Sequence, residues 1–194
     1  MSRSLRALAL MLLVSACGSG QYSAPRNLDN ACSIVDQRPN YLKAMRKTQR
    51  KWGIPVAVQM ATIHQESKFI GNARTPFKYV LGVIPMGRQS SAYGYSQALD
   101  ATWDEYRRDT GRRSAKRDDI KDATDFMGWY MDGSTQRLGI AKTDARSQYL
   151  AYHEGRTGYK RGSYNRKPWL VRISGEVAAR ANTYQAQLIA CGKA

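Results

Sequence analysis

Apolar residues recur at intervals of three and four through most of the chain, which predicts a mainly helical protein. Start and stop signals divide this pattern: Pro39 and Gly53 bracket one segment, and Asp100 and Gly111 bracket another. The predicted helices cover 40–52, 55–66, 100–109, a segment from Asp118 or Asp119 to a turn over 134–141, a segment from the capping Thr143 to Gly155, and 168–190, with Gly175 as a candidate break.

The stretch between the second and third predicted helices departs from this pattern. Residues 67–98 contain six Gly and Pro residues, which favour turns and irregular structure. Within them, "KYVLGVI" fits a short strand or hairpin arm. The prediction is an irregular or β-hairpin segment around residues 70–95, and residues 75–91 are a candidate extra lobe over a cleft.

The N-terminus reads as a secretory signal, because two arginines precede an apolar run that is too short to span a bilayer. The residues before Cys17 resemble a bacterial lipobox, which implies cleavage after residue 16 and acylation of Cys17; the alternative is an ordinary signal with a chance cysteine. We therefore predict a signal peptide over 1–16, lipidated Cys17 with a flexible tether over 17–31, and a folded domain over 32–194.

Charge and cysteines narrow the class of partner. The chain has 31 Lys and Arg against 15 Asp and Glu, a formal net charge of +16, which favours an anionic partner. Export argues against nucleic acid and leaves an anionic membrane face or a cell-wall polymer. An oxidising compartment also favours a disulfide between Cys32 and Cys191. Two distant histidines, His64 and His153, argue against a metal site, and we expect no cofactor.

One carboxylate stands at the end of the apolar helix predicted over 55–66. Burial and the negative end of the helix dipole both disfavour the charged form of Glu66, so its pKa should rise toward that of a general acid. Nearby cations such as Lys68 would act in the opposite direction. Taken alone, a glutamate at a helix end is more commonly a solvated surface residue.

Three short motifs favour the interpretation of Glu66 as a general acid over that of a surface residue. "HQESKF", then "AYGYSQAL", then "AYHEG" occur in an order and spacing that resemble the soluble lytic transglycosylase (SLT) family over residues 40–190. The resemblance implies a goose-lysozyme-like single domain that cleaves the glycan of peptidoglycan. Three positions depart from the family pattern, since Tyr95 and Ser96 replace a leucine and a methionine, and His153 replaces an asparagine.

The resemblance assigns roles by position. Glu66 would be the catalytic acid, and the substrate-binding residues would be Ser67, Tyr93, Gly94, Ser96, Gln97, Tyr152 and His153. Each has a structural alternative, such as a helix cap for Ser67, loop packing for Gln97 and a core position for Tyr152. Gly94 is expected to allow a tight turn and a close approach to sugar.

The resulting hypothesis is a monomeric lytic transglycosylase that acts on peptidoglycan strands and leaves 1,6-anhydromuramyl ends. Gly18, in place of an aspartate after Cys17, favours the outer membrane with the domain facing the periplasm. One alternative is a goose-type lysozyme, in which Asp100, Asp104 or Glu154 would activate water. Another is a glycan-binding lipoprotein without catalytic activity.

Overall fold

The computed structural model of the protein describes residues 22–194 and is mainly helical over that range. The predicted signal peptide and Cys17 lie outside the described residues. Within the range, the helices are α1 (Ala31–Gln37), α2 (Pro39–Trp52), α3 (Val56–Ser67), α4 (Asp100–Thr110), α5 (Ile120–Leu138), α6 (Ala145–Lys160) and α7 (Pro168–Ala190), with a 3₁₀ turn at Ser163–Arg166. The predicted mainly α fold is confirmed.

The helix boundaries follow the capping residues. Asn30 and Asp119 accept hydrogen bonds from the first turns of α1 and α5. Helix α5 continues to Leu138, so the turn predicted over 134–141 begins five residues too early. Helix α6 continues past the non-helical Gly155 to Lys160, and α7 runs through Gly175 without a break.

Helix α3 lies in the centre of the domain. Ten of its twelve residues are buried, including both polar and apolar side chains. It packs against α2, α5 and α7, so little of its surface faces water. Its buried residues therefore lie on every side of the helix, and this packing brings the C-terminal end of α3, with Glu66, against the other helices.

The segment after α3 contains one antiparallel hairpin. Strand β1 (Phe77–Val80) pairs with β2 (Ile84–Arg88), with Val80 opposite Ile84 and an irregularity near Lys78. Every residue of both strands is exposed. The predicted hairpin within residues 70–95 is confirmed.

The two ends of the described chain are joined to each other. Cys32 and Cys191 form a disulfide, as predicted from export. Residues 22–30, which belong to the predicted tether, contact the domain: Gln37 bonds the backbone of Arg26, and the Tyr184 hydroxyl donates to the Leu28 carbonyl. Among residues 22–194, no helix combines the length and the apolar character needed to cross a bilayer.

Candidate active site

Glu66 is the penultimate residue of α3 and remains partly exposed. Surrounding protein nevertheless removes enough water to raise the pKa of its carboxyl from 4.5 to about 7, although a Tyr149 hydrogen bond and the Lys68 charge act in the opposite direction. Partial exposure leaves a path for a ligand atom, and a pKa near neutrality leaves the group partly protonated. These are the properties of a general acid.

Two tyrosines of α6 face this carboxylate. Tyr149 shares a hydrogen bond with Glu66, and burial, together with the negative charge of Glu66, raises the pKa of the Tyr149 hydroxyl far above 10. The same two effects raise the pKa of Tyr152. Both hydroxyls therefore stay protonated, so Tyr149 keeps the proton that it can donate to the Glu66 carboxylate. The sequence prediction included Tyr152 but not Tyr149, which precedes it by three residues on the same face of a helix.

The loop from Gly94 to Gln97 is fastened to both helices through its backbone. The Ser67 hydroxyl donates to the Tyr95 carbonyl at 2.9 Å, and the Tyr152 hydroxyl donates to the Ser96 carbonyl at 2.6 Å. Ser67 also donates to Ile63 within its own helix. The geometry gives Ser67 a positioning role, because its hydroxyl joins the end of α3 to the loop.

Gly94 is required by its backbone and by its neighbours. Its φ is +81°, and a Cβ placed there would lie 2.1 Å from the Arg117 carbonyl oxygen. The tight turn was predicted, but the close approach in the structure is to protein backbone, where sugar was expected. Gln97, also at positive φ, donates from Nε2 to the carbonyls of Ala73 and Gly94.

A cleft of about 240 Å³ lies between this loop and helices α4, α5 and α6. Its lining joins loop residues with aromatic and polar side chains of the helices: Gln97, Ala98, Leu99, Thr102, Phe126, Tyr130, Tyr152, His153, Glu154 and Gly155. Glu66 is not itself among the lining residues; it is linked to the cleft by Tyr152, which lines it and whose pKa is raised by the Glu66 charge. Two depressions of about 440 Å³ lie elsewhere and contain neither residue.

The remaining predicted site residues divide between the cleft and its surroundings. His153 lines the cleft, is exposed, and packs edge-on against Trp169. Ser96 is fully buried, and its hydroxyl has no partner among the described residues. Tyr93 lies outside the cleft lining, donates to Asp118, and has the Arg74 guanidinium over its ring.

The acidic residues considered as water activators are engaged elsewhere. Desolvation of Glu154 is outweighed by hydrogen bonds from Lys167, Ser163 and His153, so its pKa falls to about 2. Asp100 pairs with Arg117, and Asp104 is exposed beside Arg107. None of the three contributes to the pKa of Glu66. Across residues 22–194, no group of three His, Cys, Asp or Glu residues is placed to hold a metal ion.

Comparison with known proteins identifies one family. The family model described as "Transglycosylase SLT domain" matches residues 5–191, which is nearly the whole chain. No curated protein matches the sequence.

Proposed function

Since the chain belongs to the transglycosylase SLT domain family, whose members act on peptidoglycan in the cell envelope, we propose that it is a lytic transglycosylase in which Glu66 is the acid and then the base. The observation that carries this proposal is the pKa of Glu66, raised to about 7 beside a cleft. A carboxyl group with that pKa can donate a proton and afterwards accept one near neutral pH.

In the first half of the reaction, Glu66 protonates the glycosidic oxygen between N-acetylmuramic acid and N-acetylglucosamine. The C1–O bond breaks, and the carbonyl of the muramyl 2-acetamido group stabilises the positive charge that develops at C1. Such substrate assistance is an exception to the use of two carboxylates. Substrate assistance suits this site, because none of the described acidic residues contributes to the pKa of Glu66.

In the second half, the Glu66 carboxylate accepts the proton of the muramyl 6-hydroxyl. That oxygen forms a bond to C1, which closes the 1,6-anhydro ring and returns Glu66 to its protonated form. The nucleophile belongs to the same sugar, so no water molecule is consumed and the effective concentration of the attacking group is high. The Tyr149 hydrogen bond stabilises the Glu66 carboxylate that exists between the two halves of the reaction, because it favours the ionised form.

The other residues hold the sugar or the loop. We assign Gln97, Tyr152 and His153 to the wall that contacts the glycan, since all three line the cleft. Ser96 and Tyr93 are proposed to act through the shape of this loop region. Ser67 is proposed to act by attaching the loop to α3, and Gly94 by allowing its close approach to the Arg117 backbone.

The hydrolytic alternative, a goose-type lysozyme, requires a second carboxylate that is free to activate water. Glu154 is the candidate nearest the cleft, but its low pKa and its three hydrogen-bond partners fit a structural ion pair. The geometry therefore favours ring closure over hydrolysis.

Digestion of purified sacculi, followed by mass analysis of the muropeptides, tests the proposal. We expect anhydro products, which weigh 18 Da less than the hydrolytic products because the bond is broken without adding water. Reducing-end products would favour the lysozyme alternative. Undiminished digestion by Glu66→Gln would remove Glu66 from the reaction. If neither variant nor wild type digests sacculi but both bind them, the glycan-binding alternative is correct.

The cellular setting is part of the proposal. Acylation at Cys17 would anchor the domain to a membrane. We propose that this is the outer membrane, and that the domain faces the periplasm, where it meets peptidoglycan as a monomer. Metabolic labelling with a fatty acid, compared between the wild type and Cys17→Ala, tests the anchor.

A further inference from the structure

The hairpin formed by β1 and β2 carries large apolar side chains on both of its faces. The two most exposed are at the turn, where Leu81 is 87% and Val83 is 75% exposed. The others are at least 42% exposed: Phe77, Tyr79, Val80, Ile84 and Met86. A sheet that packs on a protein normally has one apolar and one polar face, so large exposed apolar side chains on both faces indicate that neither face is built to meet water alone.

The hairpin projects from the domain on a closed polar base. The two strands pair with each other and have no extensive packing against any described helix. At the base, the Thr75 hydroxyl donates to the Ser90 carbonyl at 2.9 Å, and Arg88 donates to the Thr75 carbonyl at 2.7 Å. The apolar side chains are therefore presented outward by a stem that the protein itself holds shut.

The charge of the surrounding segment has one sign. Residues 67–99 contain no acidic residue and four cations, Lys68, Arg74, Lys78 and Arg88. Arg88 lies over the Phe77 ring, so a cation directly borders the apolar surface. This arrangement is complementary to the surface of an anionic bilayer: the apolar side chains can meet the acyl chains, and the cations can meet the phosphates above them.

The N-terminal end of the described chain lies at the base of the hairpin. The Gly71 amide donates to the Tyr22 carbonyl at 3.2 Å, and the hydroxyls of Tyr22 and Tyr93 both donate to Asp118. Tyr22 follows Cys17 by only five positions. Five residues span less than about 20 Å even when fully extended, so a lipid attached at Cys17 would hold a membrane surface within reach of the hairpin.

We propose that the hairpin over residues 77–88 inserts into the surface of an anionic phospholipid bilayer, on the same side of the domain as the chain's N-terminus. Insertion is limited to the headgroup and upper acyl region, because the outer edges of a two-stranded hairpin carry unpaired N–H and C=O groups that are costly in hydrocarbon. The contact orients the domain and adds to the affinity of an anchor.

Vesicle flotation of the chain from Tyr22 onward tests this without interference from an acyl group or leader. Every core residue lies between Ala31 and Leu188, so this chain keeps the whole described core. We expect it to float with phosphatidylcholine vesicles containing about a third phosphatidylglycerol and to be released as salt rises. The Leu81→Ser, Val83→Ser double variant should partition about a hundredfold less, because two exposed apolar side chains no longer enter the acyl region.

Ile189→Ser is the matched control, since Ile189 is a 62% exposed apolar residue on α7, and it should float like the wild type. Unfolding midpoints should be equal for all variants, and digestion of soluble sacculus fragments should be unchanged, which keeps this test separate from that of the proposed function. Absence of flotation would overturn the proposal. An equal loss of flotation in the double variant and in the Ile189→Ser control would also overturn it. The same holds if the wild type self-associates in solution and the double variant does not, because the hairpin would then be an interface between copies of the chain.

Discussion

Glu66→Gln is expected to abolish glycan cleavage and, at the same time, to stabilise the fold at alkaline pH. In the unfolded chain the carboxyl ionises near 4.5, whereas in the folded protein its pKa is about 7. The folded state therefore holds its proton over a range in which the unfolded state has lost it. Stability that is complete below pH 4.5 is lost as the pH rises through 7.

The size of this effect follows from the two pKa values. At 1.36 kcal/mol per pKa unit, the rise from 4.5 to about 7 corresponds to about 3 kcal/mol of stability lost above pH 7. Glutamine has nearly the same shape and does not ionise, so the variant avoids the loss. We expect it to unfold with the wild-type free energy near pH 4 and with a free energy up to about 3 kcal/mol larger at pH 8.

Glu154→Gln is a matched variant with the opposite sign. Hydrogen bonds from Lys167, Ser163 and His153 outweigh desolvation and lower the pKa of Glu154 to about 2, and the side chain is only 4% exposed. Its stabilisation is present above pH 4.5 and is lost as the pH falls through about 2. The variant should therefore be less stable than the wild type by about 3 kcal/mol at pH 8 and by progressively less in acid.

Urea unfolding of the wild type and both variants at pH 4, 6 and 8, together with sacculus digestion, measures these effects. If Glu66→Gln changed the free energy of unfolding by the same amount at all three pH values, Glu66 would not have a raised pKa, and the acid role would have no physical basis. If Glu154→Gln were stabilising at pH 8, Glu154 would be a strained carboxylate available for catalysis, as the lysozyme alternative requires.

Three further changes have defined outcomes. Tyr149→Phe removes a hydrogen bond that favours ionised Glu66, so the alkaline limb of the pH–activity profile should move upward by about one pH unit; an unmoved limb with activity retained would contradict the contact. Gly94→Ala places a Cβ at positive φ and 2.1 Å from a carbonyl oxygen, which should cost about 3 kcal/mol in thermal or urea unfolding; a normal midpoint would contradict the clash. Replacing Cys32 and Cys191 with serine opens a link across 159 positions and should cost at most about 5 kcal/mol, and mass analysis without reductant should find the wild-type pair joined.

The helices could be predicted because their signals are local. Gly53 and Gly111 end α2 and α4 at the predicted positions, and Asp119 caps α5. Helix α1 was not predicted, since its seven residues are too few for periodicity to be visible. The end of α5 was placed too early because Gly133 and Ser134 suggest a turn, whereas burial of Ser134 and its hydrogen bond to the Tyr130 carbonyl keep them helical.

The candidate site residues could be predicted only where they belong to a recognisable sequence motif. Resemblance suggested Glu66 and Tyr152, but the proximity of Tyr149 to Glu66 depends on the long-range packing that brings Tyr149 of α6 to the end of α3, which no local pattern encodes. The same is true of Ser67, whose partner is 28 positions away along the chain. Long-range packing also decided the conformation of residues 22–30, whose polar composition predicted a tether although their backbone bonds Gln37 and Tyr184.

Two of this chain's departures from the family pattern, Tyr95 and Ser96, lie where the backbone makes the contacts of the loop. The loop is fastened through the carbonyls of Tyr95 and Ser96, which accept from Ser67 and Tyr152. A carbonyl is present whatever the side chain, so the family's leucine and methionine can be replaced at these positions without releasing the loop. The Tyr95 side chain points into the core and bonds Tyr41, while Gly94 keeps the backbone turn that only glycine allows against its neighbour. Ser96, whose hydroxyl has no partner among the described residues, therefore leaves the backbone attachment of the loop to Ser67 and Tyr152 unchanged.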